Sequence, residues 1–506
     1  MGRYGVTAKD WHVLRRFLMS VLVVGVAFLG IRLNSSSGSD AATLAKPLKR
    51  VLEFGWRGPD KVAPAQSVTS HLSLRLKARF PLTLSADGRY LKDQSDNPFF
   101  LVGDSPWYLD VTLTASEIET YLDDRAQRGF NAILLEVISR NYQPNGTNNA
   151  NNSRPFTTAD DFTTPGIRYW QFVDSVLRDA NERGILVMFF PMYLGFSCTN
   201  IDGGWCPQVQ AQTTTQLQSY GAFLGQRYKN QPNIIWVLGG DATGSVYAGI
   251  AAREDAFVKG LQSKGDTHPI TYHARRAGSA RALRAASWMT INTQYSDWAR
   301  SSSDAASAYA ETPYMPAFLI EAYYEGEQSM TNLQLRNQYY WSVLSGSHLG
   351  FFFGSCNLFQ FNRPGGTCSP NTPWRDVLNQ SPSKEAALAG RLFRSRRHWL
   401  LGPNASIITS GASSGANLAV AARASDGSSV IAYIPTGNAV TIDMTKVGGG
   451  TARAHWYNPR TGDTAFINDY STSGTQTFTP PDRNDWVLVL DDASAALAAP
   501  GAFLLA

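Results

Sequence analysis

The sequence predicts an α/β protein in which a (β/α)8 TIM barrel is followed by a small C-terminal β-sandwich. Eight apolar runs alternate with helical segments between residues 99 and 354, which is the pattern of a parallel sheet closed as a barrel. No Gly-x-Gly-x-x-Gly motif follows the first run, so an open doubly wound sheet is the less favoured alternative. From residue 402 the pattern changes to short β segments separated by turn residues, as in a β-sandwich.

The elements of the barrel follow one another in a regular order. A hairpin over residues 81–100, with Asp87 and Gly88 at its turn, leads into the first strand. The first helix begins with the capping-box sequence Thr114-Ala-Ser-Glu117. The predicted strands are 99–104, 130–137, 185–192, 233–238, 269–273, 288–293, 318–321 and 350–354. The predicted helices are 116–128, 169–183, 214–228, 255–264, 332–345 and, closing the barrel, 384–400.

The barrel is predicted over residues 80–401 and the β-sandwich over residues 402–492. Six short segments separated by turn residues form the predicted sandwich: 418–422, 429–433, 440–443, 452–457, 476–479 and 486–490. The Ala/Leu-rich tail over 493–506 is expected to be disordered. The segment over 34–79 mixes Ser, Ala, Lys and Pro without periodicity and is expected to be a linker.

The N-terminal segment combines basic residues with an apolar block. Four basic residues lie within the first sixteen positions, and residues 17–31 carry no charge. This arrangement is typical of an export signal, and the block is shorter than the ~20 residues that usually span a bilayer. We therefore expect residues 1–33 to be a cleaved signal peptide or an uncleaved membrane anchor, with a cytosolic helix as the third alternative. In the first two cases the protein is secreted or extracytoplasmic.

Charge and cysteine content indicate which classes of partner and which cellular compartment to expect. The net charge is +5, and no Lys/Arg cluster with interleaved aromatic residues occurs, so we expect no nucleic-acid partner. Of the three pairings that four cysteines allow, the close spacings favour Cys198 with Cys206 and Cys356 with Cys368, as in an exported protein. No Cys-x-x-Cys motif occurs, so zinc is not expected, and the sequence indicates no other metal or cofactor.

Two of the predicted buried strands each end in one carboxylate. Asp241 follows Asn233-Ile-Ile-Trp-Val-Leu-Gly-Gly, and Glu321 follows Pro316-Ala-Phe-Leu-Ile. Barrels place catalytic groups at the C-terminal ends of their strands, and the fourth and seventh strands lie across the mouth from each other. A pair of carboxyl groups flanking a sugar is what glycoside hydrolysis requires. The alternatives are a turn or helix cap for Asp241 and an ion pair for Glu321.

Further residues near strand ends are candidates for sugar binding, because their polar or aromatic side chains are suited to hydrogen bonding or stacking. These candidates are Asp104, Trp107, Glu136, His273, Gln294 and Tyr323. For Asp104 the alternative is a cap on the following turn. For His273 the alternative is a packed or hydrogen-bonded histidine without a role in substrate binding.

Three motifs together resemble one known family. They are Gly103-Asp-Ser-Pro-Trp107, Trp236-Val-Leu-Gly-Gly-Asp241 and Ile320-Glu-Ala-Tyr-Tyr-Glu-Gly326. They are similar to the apiosidase-like family, which includes glycoside hydrolase family 140, and the resemblance covers roughly residues 80–400. The motifs Trp456-Tyr-Asn-Pro-Arg-Thr-Gly462 and Pro480-Pro-Asp-Arg-Asn-Asp-Trp486 resemble the collagen-binding domain of a collagenase, a module that commonly follows that barrel.

The resemblance implies a barrel glycosidase with Asp241 as acid/base and Glu321 as nucleophile, and pectin-derived apiosides as one candidate substrate. Burial and the charge of Glu321 are expected to raise the pKa of Asp241, and a hydrogen bond from Tyr323 or Gln294 is expected to keep Glu321 ionised. The sequence thus predicts an exported glycoside hydrolase that acts on plant or microbial polysaccharide. The alternative is a non-catalytic carbohydrate- or matrix-binding protein, which the separation of the two carboxyl groups distinguishes.

Overall fold

The computed structural model describes residues 77–140, 147–199, 203–241, 244–361 and 372–502 of the 506-residue chain. The predicted export segment over 1–33 and nearly all of the predicted linker over 34–79 lie outside these residues. Within the described part of the chain, no helix is both long enough and apolar enough to cross a membrane.

Eight parallel strands form the predicted barrel. A small antiparallel sheet precedes them, made of β1 Thr83–Leu84, β2 Leu91–Lys92 and β3 Pro98–Phe99. The barrel strands are β4 Leu101–Asp104, β5 Ala132–Glu136, β6 Leu186–Phe190, β7 Ile234–Gly239, β8 Ile270–His273, β10 Asn292–Tyr295, β11 Ala317–Glu321 and β12 Gly350–Phe353. A two-residue strand, β9 Gly278–Ser279, pairs antiparallel with β10. All eight barrel strands are buried along their length. Burial on both faces explains the apolar runs of strands such as β6 and β11, whereas β8 and β10 also bury polar side chains.

Threonine side chains complete the barrel between β8 and β10, where no regular ladder forms. The hydroxyl of Thr271 donates to the carbonyl oxygen of Ile291 at 2.7 Å, and the backbone N–H of Thr290 donates to the carbonyl oxygen of Ile270 at 2.9 Å. The hydroxyl of Thr293 also donates to a backbone carbonyl of β8. These bonds satisfy buried backbone groups at the seam, so the wall of the barrel is continuous there.

Helices surround the strands, and three of them begin with capping boxes. The helices are α1 Leu109–Thr112, α2 Ala115–Arg128, α3 Ile167–Glu182, α4 Cys206–Ala211, α5 Thr214–Tyr228, α6 Gly244–Ser263, α7 Ala280–Leu283, α8 Ser301–Ala310, α9 Asn332–Leu344, α10 Cys356–Phe359, α11 Trp374–Val377 and α12 Ser381–Arg394. The predicted capping box at Thr114 is confirmed, because the Thr114 N–H donates to the carboxylate of Glu117 at 3.0 Å. Thr213 and Thr331 begin α5 and α9 in the same way.

The bounds of several predicted barrel elements differ in the structure, and the closing helix, expected over 384–400, ends at Arg394. The sixth barrel strand was expected over 288–293 but begins only at Asn292, because Trp288 and Met289 lie in a turn closed by a bond from the Met289 N–H to the Ala286 carbonyl. Helix α6 begins eleven residues before the predicted start at position 255. The expected alternation of strands and helices is unchanged by these differences.

The C-terminal region consists of two antiparallel sheets. The larger sheet contains, in spatial order, β13 Leu401–Pro403, β15 Val420–Ala424, β16 Ser429–Ile434, β21 Trp486–Asp492, β18 Thr451–Tyr457 and β19 Thr464–Ser471. The smaller sheet contains β14 Ile408–Ser410, β17 Val440–Asp443 and β20 Thr475–Phe478. The two sheets enclose their own apolar core, as expected for a β-sandwich.

The larger sheet packs on both of its faces. In β16, Val430 and Ala432 face the core between the two sheets, whereas Ile431 and Tyr433 join an apolar cluster with barrel residues. The ring of Tyr433 stacks on that of Tyr340 in α9, with 4.5 Å between the ring centroids. Side chains on both faces of β16 are therefore buried, one set between the two sheets and the other against the barrel. These contacts fix the β-sandwich against the barrel.

Buried ion pairs join the same two domains. Arg396, which follows α12, forms two hydrogen bonds of 2.9 and 2.6 Å with the carboxylate of Asp491 in β21. Arg336 in α9 binds Asp485 in the same bidentate manner, with distances of 2.7 and 2.8 Å. Arg336 also binds Glu385 of α12 at 2.7 Å. Because these charges are buried, each depends on its partner.

The structure corrects the prediction of a disordered tail over 493–506. The hydroxyl of Thr464 donates to the Pro500 carbonyl at 2.8 Å, and the Gly501 N–H donates to the hydroxyl of Ser395 at 2.8 Å. The tail is therefore ordered through Ala502 because its backbone is hydrogen-bonded to both domains. No local pattern in the tail predicts these long-range bonds, and positions 503–506 lie outside the described residues.

Replacing Arg396 by Ala is expected to destabilise the protein strongly. Asp491 would remain buried with the hydroxyl of Ser429, at 2.7 Å, as its remaining side-chain partner, and such an uncompensated charge typically costs about 3–5 kcal/mol. Urea unfolding followed by circular dichroism measures the change. Arg453→Ala is the matched control, because it breaks an exposed pair with Asp469 in the same sheet and should leave the unfolding midpoint unchanged. Equal effects of the two substitutions would contradict this account of the interface.

Candidate active site

A sharp backbone turn follows β7 and positions Asp241. Gly239, Gly240 and Asp241 all have positive φ angles, of 83°, 123° and 55°. A Cβ atom on Gly239 would lie 2.4 Å from the His273 carbonyl oxygen, and one on Gly240 would lie 2.5 Å from the ring of Tyr193. Only glycine fits these two positions, because it has no Cβ and tolerates this backbone conformation. The turn therefore brings Asp241 back over the C-terminal end of the barrel.

Asp241 is held by residues of the two neighbouring strand ends. The hydroxyl of Tyr193 donates to Oδ2 at 2.9 Å, and the backbone N–H of Asp241 donates to Nδ1 of His273 at 3.2 Å. Oδ1 is buried and has no hydrogen-bond partner among the described residues. One oxygen of this carboxyl group is thus fixed, and the other remains able to carry or release a proton.

Glu321 ends β11 and accepts hydrogen bonds at both of its oxygens. Because Nδ1 of His273 accepts from a backbone N–H, the neutral imidazole carries its proton on Nε2. Nε2 then donates to Oε2 of Glu321 at 2.7 Å. The hydroxyl of Tyr324 donates to Oε1 at 2.6 Å, and that hydroxyl accepts from Nε1 of Trp107 at 2.6 Å. This chain of donors orients the carboxylate towards the barrel mouth.

Burial and charge act in opposite directions on the groups of this site. Burial and the charge of Glu321 raise the pKa of Asp241 to about 6, although His273, Tyr193 and Arg276 oppose the rise. Burial lowers the pKa of His273, but the hydrogen bond and charge of Glu321, with the charge of Asp241, outweigh burial and raise it overall. Two carboxyl groups therefore coexist here because one of them holds its proton to a higher pH than usual.

The two carboxyl groups share one site at the barrel mouth. One oxygen of Asp241, one oxygen of Glu321 and one nitrogen of His273 all lie within 4.8 Å of one another. These three residues are also the described group that could hold a divalent cation. The hydrogen bonds from His273 and Tyr324 already satisfy both oxygens of Glu321, so the carboxylate needs no cation to be compensated.

A cation and two aromatic rings lie beside this pair. Nη2 of Arg276 donates to the hydroxyl of Tyr295 at 3.0 Å and to Glu327 at 3.3 Å. The guanidinium carbon lies 4.2 Å from the ring centroid of Tyr323, within the range of a cation–π contact. Tyr323 therefore supports Arg276. The prediction that Tyr323 or Gln294 donates to Glu321 is wrong, because the hydroxyl of Tyr324 is the donor.

Two of the predicted sugar-binding residues point away from the mouth. Asp104 is fully buried, and its carboxylate accepts from the Tyr121 hydroxyl at 2.7 Å and from Arg125 at 3.2 Å, both in α2. Gln294 is also fully buried, between the Ser301 carbonyl and the Ser347 hydroxyl. The prediction that these two residues bind substrate is corrected, because their side chains point into the helical layer and are already hydrogen-bonded there.

Two further candidates lie beneath the site. Trp107 is 3% exposed and packs with its ring centroid 5.6 Å from that of His273, so it supports the site through Tyr324 and offers little surface for stacking a sugar. Glu136 is 1% exposed, and burial and the charge of Asp110 raise its pKa well above the usual value. Glu136 is thus a buried carboxyl group and presents no exposed carboxylate to a ligand.

Two residues that contact the carboxyl pair, Tyr193 and Tyr324, are not predicted from the sequence. Tyr193 lies three residues after β6, and a strand-end reading of Pro191-Met-Tyr193 could have suggested it. The sequence does not distinguish Tyr324 from Tyr323, because no sequence rule decides which of two adjacent tyrosines turns back. The structure shows that Glu327 accepts the Tyr324 N–H at 3.0 Å, which closes the turn that returns Tyr324 to Glu321.

A disulfide closes the loop that follows β6. Cys198 and Cys206 are bonded, which confirms the first predicted pairing. Cys368 lies outside the described residues, so its pairing with Cys356 remains a prediction. The confirmed bond fixes a loop whose first residues contact Asp241 through Tyr193.

Comparison with known families divides the chain into the same two regions. The family model described as the apiosidase-like catalytic domain matches residues 85–400. The model for the collagen-binding domain of a collagenase matches residues 403–491. No curated protein sequence matches the chain.

Solved structures show where the same fold occurs. A protein described as a glycoside hydrolase is 24% identical over 82% of this chain and 97% of its own, with a TM-score of 0.70. A glycoside hydrolase family 5 protein from Bacteroides vulgatus is 23% identical over 82% of this chain and 94% of its own, also with a TM-score of 0.70. At these identities the likeness establishes the shared fold.

Proposed function

This chain belongs to the apiosidase-like family and is a glycoside hydrolase, and from that premise we propose that it cleaves glycosidic bonds with retention of anomeric configuration. In this proposal Asp241 is the acid/base and Glu321 the nucleophile. The observation that carries the proposal is that one oxygen of Asp241 lies within 4.8 Å of one oxygen of Glu321. Carboxyl groups about 5–5.5 Å apart suit a retaining enzyme, whereas about 6.5–9.5 Å suits an inverting one.

The proposed reaction has two steps. In the first, an oxygen of Glu321 bonds to the anomeric carbon while Asp241 gives its proton to the departing glycosidic oxygen. In the second, Asp241 takes a proton from water, and the water oxygen replaces Glu321 at the anomeric carbon. The product sugar leaves with its original configuration, and both carboxyl groups return to their starting protonation states.

The electrostatics support the change of role that Asp241 must make. The charge of Glu321 is one of the two main causes that raise the pKa of Asp241 to about 6. Formation of the ester at Glu321 removes that charge, so the pKa of Asp241 falls in the intermediate. Asp241 is thereby a better acid donor before the ester forms and a carboxylate base afterwards.

The substrate class and the compartment are part of the same proposal. We infer a plant or microbial polysaccharide as substrate, with pectin-derived apiosides as the first to be tested because of the family to which the catalytic domain belongs. The Cys198–Cys206 disulfide supports an oxidising, extracytoplasmic location. Residues 17–31 would then serve as the export signal or anchor. The close pair of carboxyl groups disfavours the alternative of a non-catalytic binding protein.

A substrate screen combined with product stereochemistry tests this function. Aryl glycosides of several sugars and pectic oligosaccharides are incubated with the full chain and with Glu321→Gln. Proton NMR of the first-formed anomer is then recorded for each cleaved substrate. We expect a retained anomer from the unmodified chain and no product from the variant. An inverted anomer would contradict the retaining mechanism while leaving the glycosidase assignment intact.

The value of kcat/KM is expected to decrease as the pH rises above about 6. Asp241 must be protonated to act as general acid, and its pKa of about 6 sets the pH above which that form is lost. The hydrogen bond from Tyr193 lowers this pKa, so Tyr193→Phe should move the alkaline limb to higher pH. Tyr323→Phe, whose hydroxyl does not contact Asp241, is the control and should leave the limb in place. A limb that moves in neither variant, or in both, would count against Asp241 as the acid.

A further inference from the structure

The loop after β6 packs directly against the turn that carries Asp241. The Leu194 N–H donates to the Gly239 carbonyl at 3.0 Å. Tyr193 donates to the carboxylate of Asp241, and its ring, together with the Leu194 nitrogen, occupies the space beside Gly240. The base of this loop and the position of Asp241 are thus parts of one rigid arrangement.

The end of the loop, at Trp205 and Cys206, is hydrogen-bonded to its beginning. The Trp205 N–H donates to the Tyr193 carbonyl at 2.7 Å, and the Cys206 N–H donates to the Leu194 carbonyl at 3.1 Å. A Cβ on Gly204 would lie 2.1 Å from the Leu194 carbonyl oxygen, so the two strands of the loop touch. Trp205 is buried and donates through Nε1 to the Ile138 carbonyl at 3.1 Å.

Phe196 is the aromatic residue that this rigid base presents to solvent. It is 54% exposed, whereas its neighbours Leu194 and Trp205 are fully buried. A single exposed phenylalanine is common and means little by itself. The position of Phe196 is what makes it a candidate for substrate binding. Its Cα lies at most ~7 Å from that of Leu194, because two residues span no more than that. Leu194 itself is hydrogen-bonded to the turn that carries Asp241.

We propose that Phe196 forms a binding subsite for a sugar on the leaving-group side of the scissile bond. This inference rests on the proposed function, because the acid at Asp241 protonates the departing oxygen and the leaving group therefore emerges on the Asp241 side. A pyranose ring has an apolar face of C–H bonds that packs well on an aromatic ring. A phenylalanine loses little side-chain entropy on binding, and the disulfide at Cys198 limits the loop entropy that binding would cost.

A binding experiment tests the subsite without catalysis. The full chain with Glu321→Gln is run through native gels that contain soluble pectin, xylan or galactomannan, and the retardation gives a Kd. Adding Phe196→Ala should weaken binding to the retarding polymer about tenfold, the factor that corresponds to ~1.4 kcal/mol. Adding Phe196→Trp should preserve binding and make the tryptophan fluorescence respond to the polymer.

Phe466→Ala is the matched control for this experiment. Phe466 is 58% exposed but lies on β19 of the β-sandwich, and its removal should leave the retardation unchanged. Equal mobility with and without Phe196→Ala in all three gels overturns the subsite, and so does an equal loss on Phe466→Ala.

A kinetic comparison separates the subsite from the proposed function. On the otherwise unmodified chain, Phe196→Ala should lower kcat/KM about tenfold for an oligosaccharide and leave it unchanged for the fluoride of the same glycone, which has no leaving-group sugar. Equal effects on both substrates overturn the subsite and leave the glycosidase mechanism standing. Binding that depends on Phe196 in a chain that hydrolyses nothing would overturn the mechanism and the leaving-group assignment, and would leave Phe196 as a sugar-binding residue only.

Discussion

Replacing Glu321 by Gln is expected to abolish hydrolysis of every substrate, by about 10⁶-fold, the scale seen when a covalent nucleophile is removed. The amide cannot form the ester on which the retaining path depends. The substitution keeps the size of the side chain, and the bonds from His273 and Tyr324 can persist to its carbonyl oxygen in part. The fold should therefore survive, and a thermal unfolding scan is recorded beside the steady-state rates.

Glu325→Gln provides the matched control for that substitution. Glu325 lies four residues later at the same rim, and burial raises its pKa to about 7. A glutamine is therefore close in shape and charge to the form that Glu325 already adopts in part. We expect this variant to retain activity within a few-fold of the unmodified chain. Loss of activity in Glu325→Gln with activity kept in Glu321→Gln would transfer the nucleophile role to Glu325.

Replacing Asp241 by Ala is expected to affect substrates according to their leaving groups. Sugars are poor leaving groups that depend on protonation of the departing oxygen, so oligosaccharides should lose about 10²–10⁴-fold in kcat/KM. Dinitrophenyl glycosides need no proton, so their first step should be nearly unaffected and only hydrolysis of the ester should be slow. Burst kinetics with a dinitrophenyl glycoside measure both steps.

Azide distinguishes this role of Asp241 from a merely structural one. A small anion can enter the space left by the missing carboxylate and attack the ester without base assistance. Added azide should raise turnover of Asp241→Ala and yield a glycosyl azide of retained configuration. An equal loss on all substrates, with no response to azide, would mean that Asp241 supports the site but does not transfer the proton.

The barrel could be predicted because its signal is local. Strands such as β7 and β11 are apolar runs buried on both faces, and the capping box at Thr114 marks a helix start within four residues. The sixth strand was shifted because Trp288 and Met289 are apolar residues in a turn. The order in the C-terminal tail was missed because the Gly501–Ser395 bond joins residues 106 positions apart.

The carboxyl pair could be predicted from strand ends, but its supporting residues could not. Asp241 and Glu321 follow buried strands, and barrel geometry alone brings such ends together. The direction of a side chain at a strand end depends on register, and continuous apolar runs do not reveal it. For this reason Asp104 was assigned to the mouth although it points towards Arg125.

The donors that orient Glu321 lie far apart in the chain. Trp107 and Tyr324 are 217 residues apart, and His273 lies 48 residues before Glu321. Only the closed barrel brings these groups within hydrogen-bond distance of one another. The reacting residues can therefore be predicted from the sequence, whereas the residues that hold them in place cannot.

Covalent trapping tests the central claim most directly. The full chain is incubated with a 2-deoxy-2-fluoro glycoside that carries a dinitrophenyl leaving group, made from whichever glycone the screen shows to be cleaved. The fluorine slows both steps, and the activated leaving group lets the ester form and accumulate. Mass spectrometry of the intact chain and of its peptides then locates the label. We predict one added glycosyl group, on Glu321, whereas an unlabelled chain or a label on Glu325 or Glu327 would contradict the account.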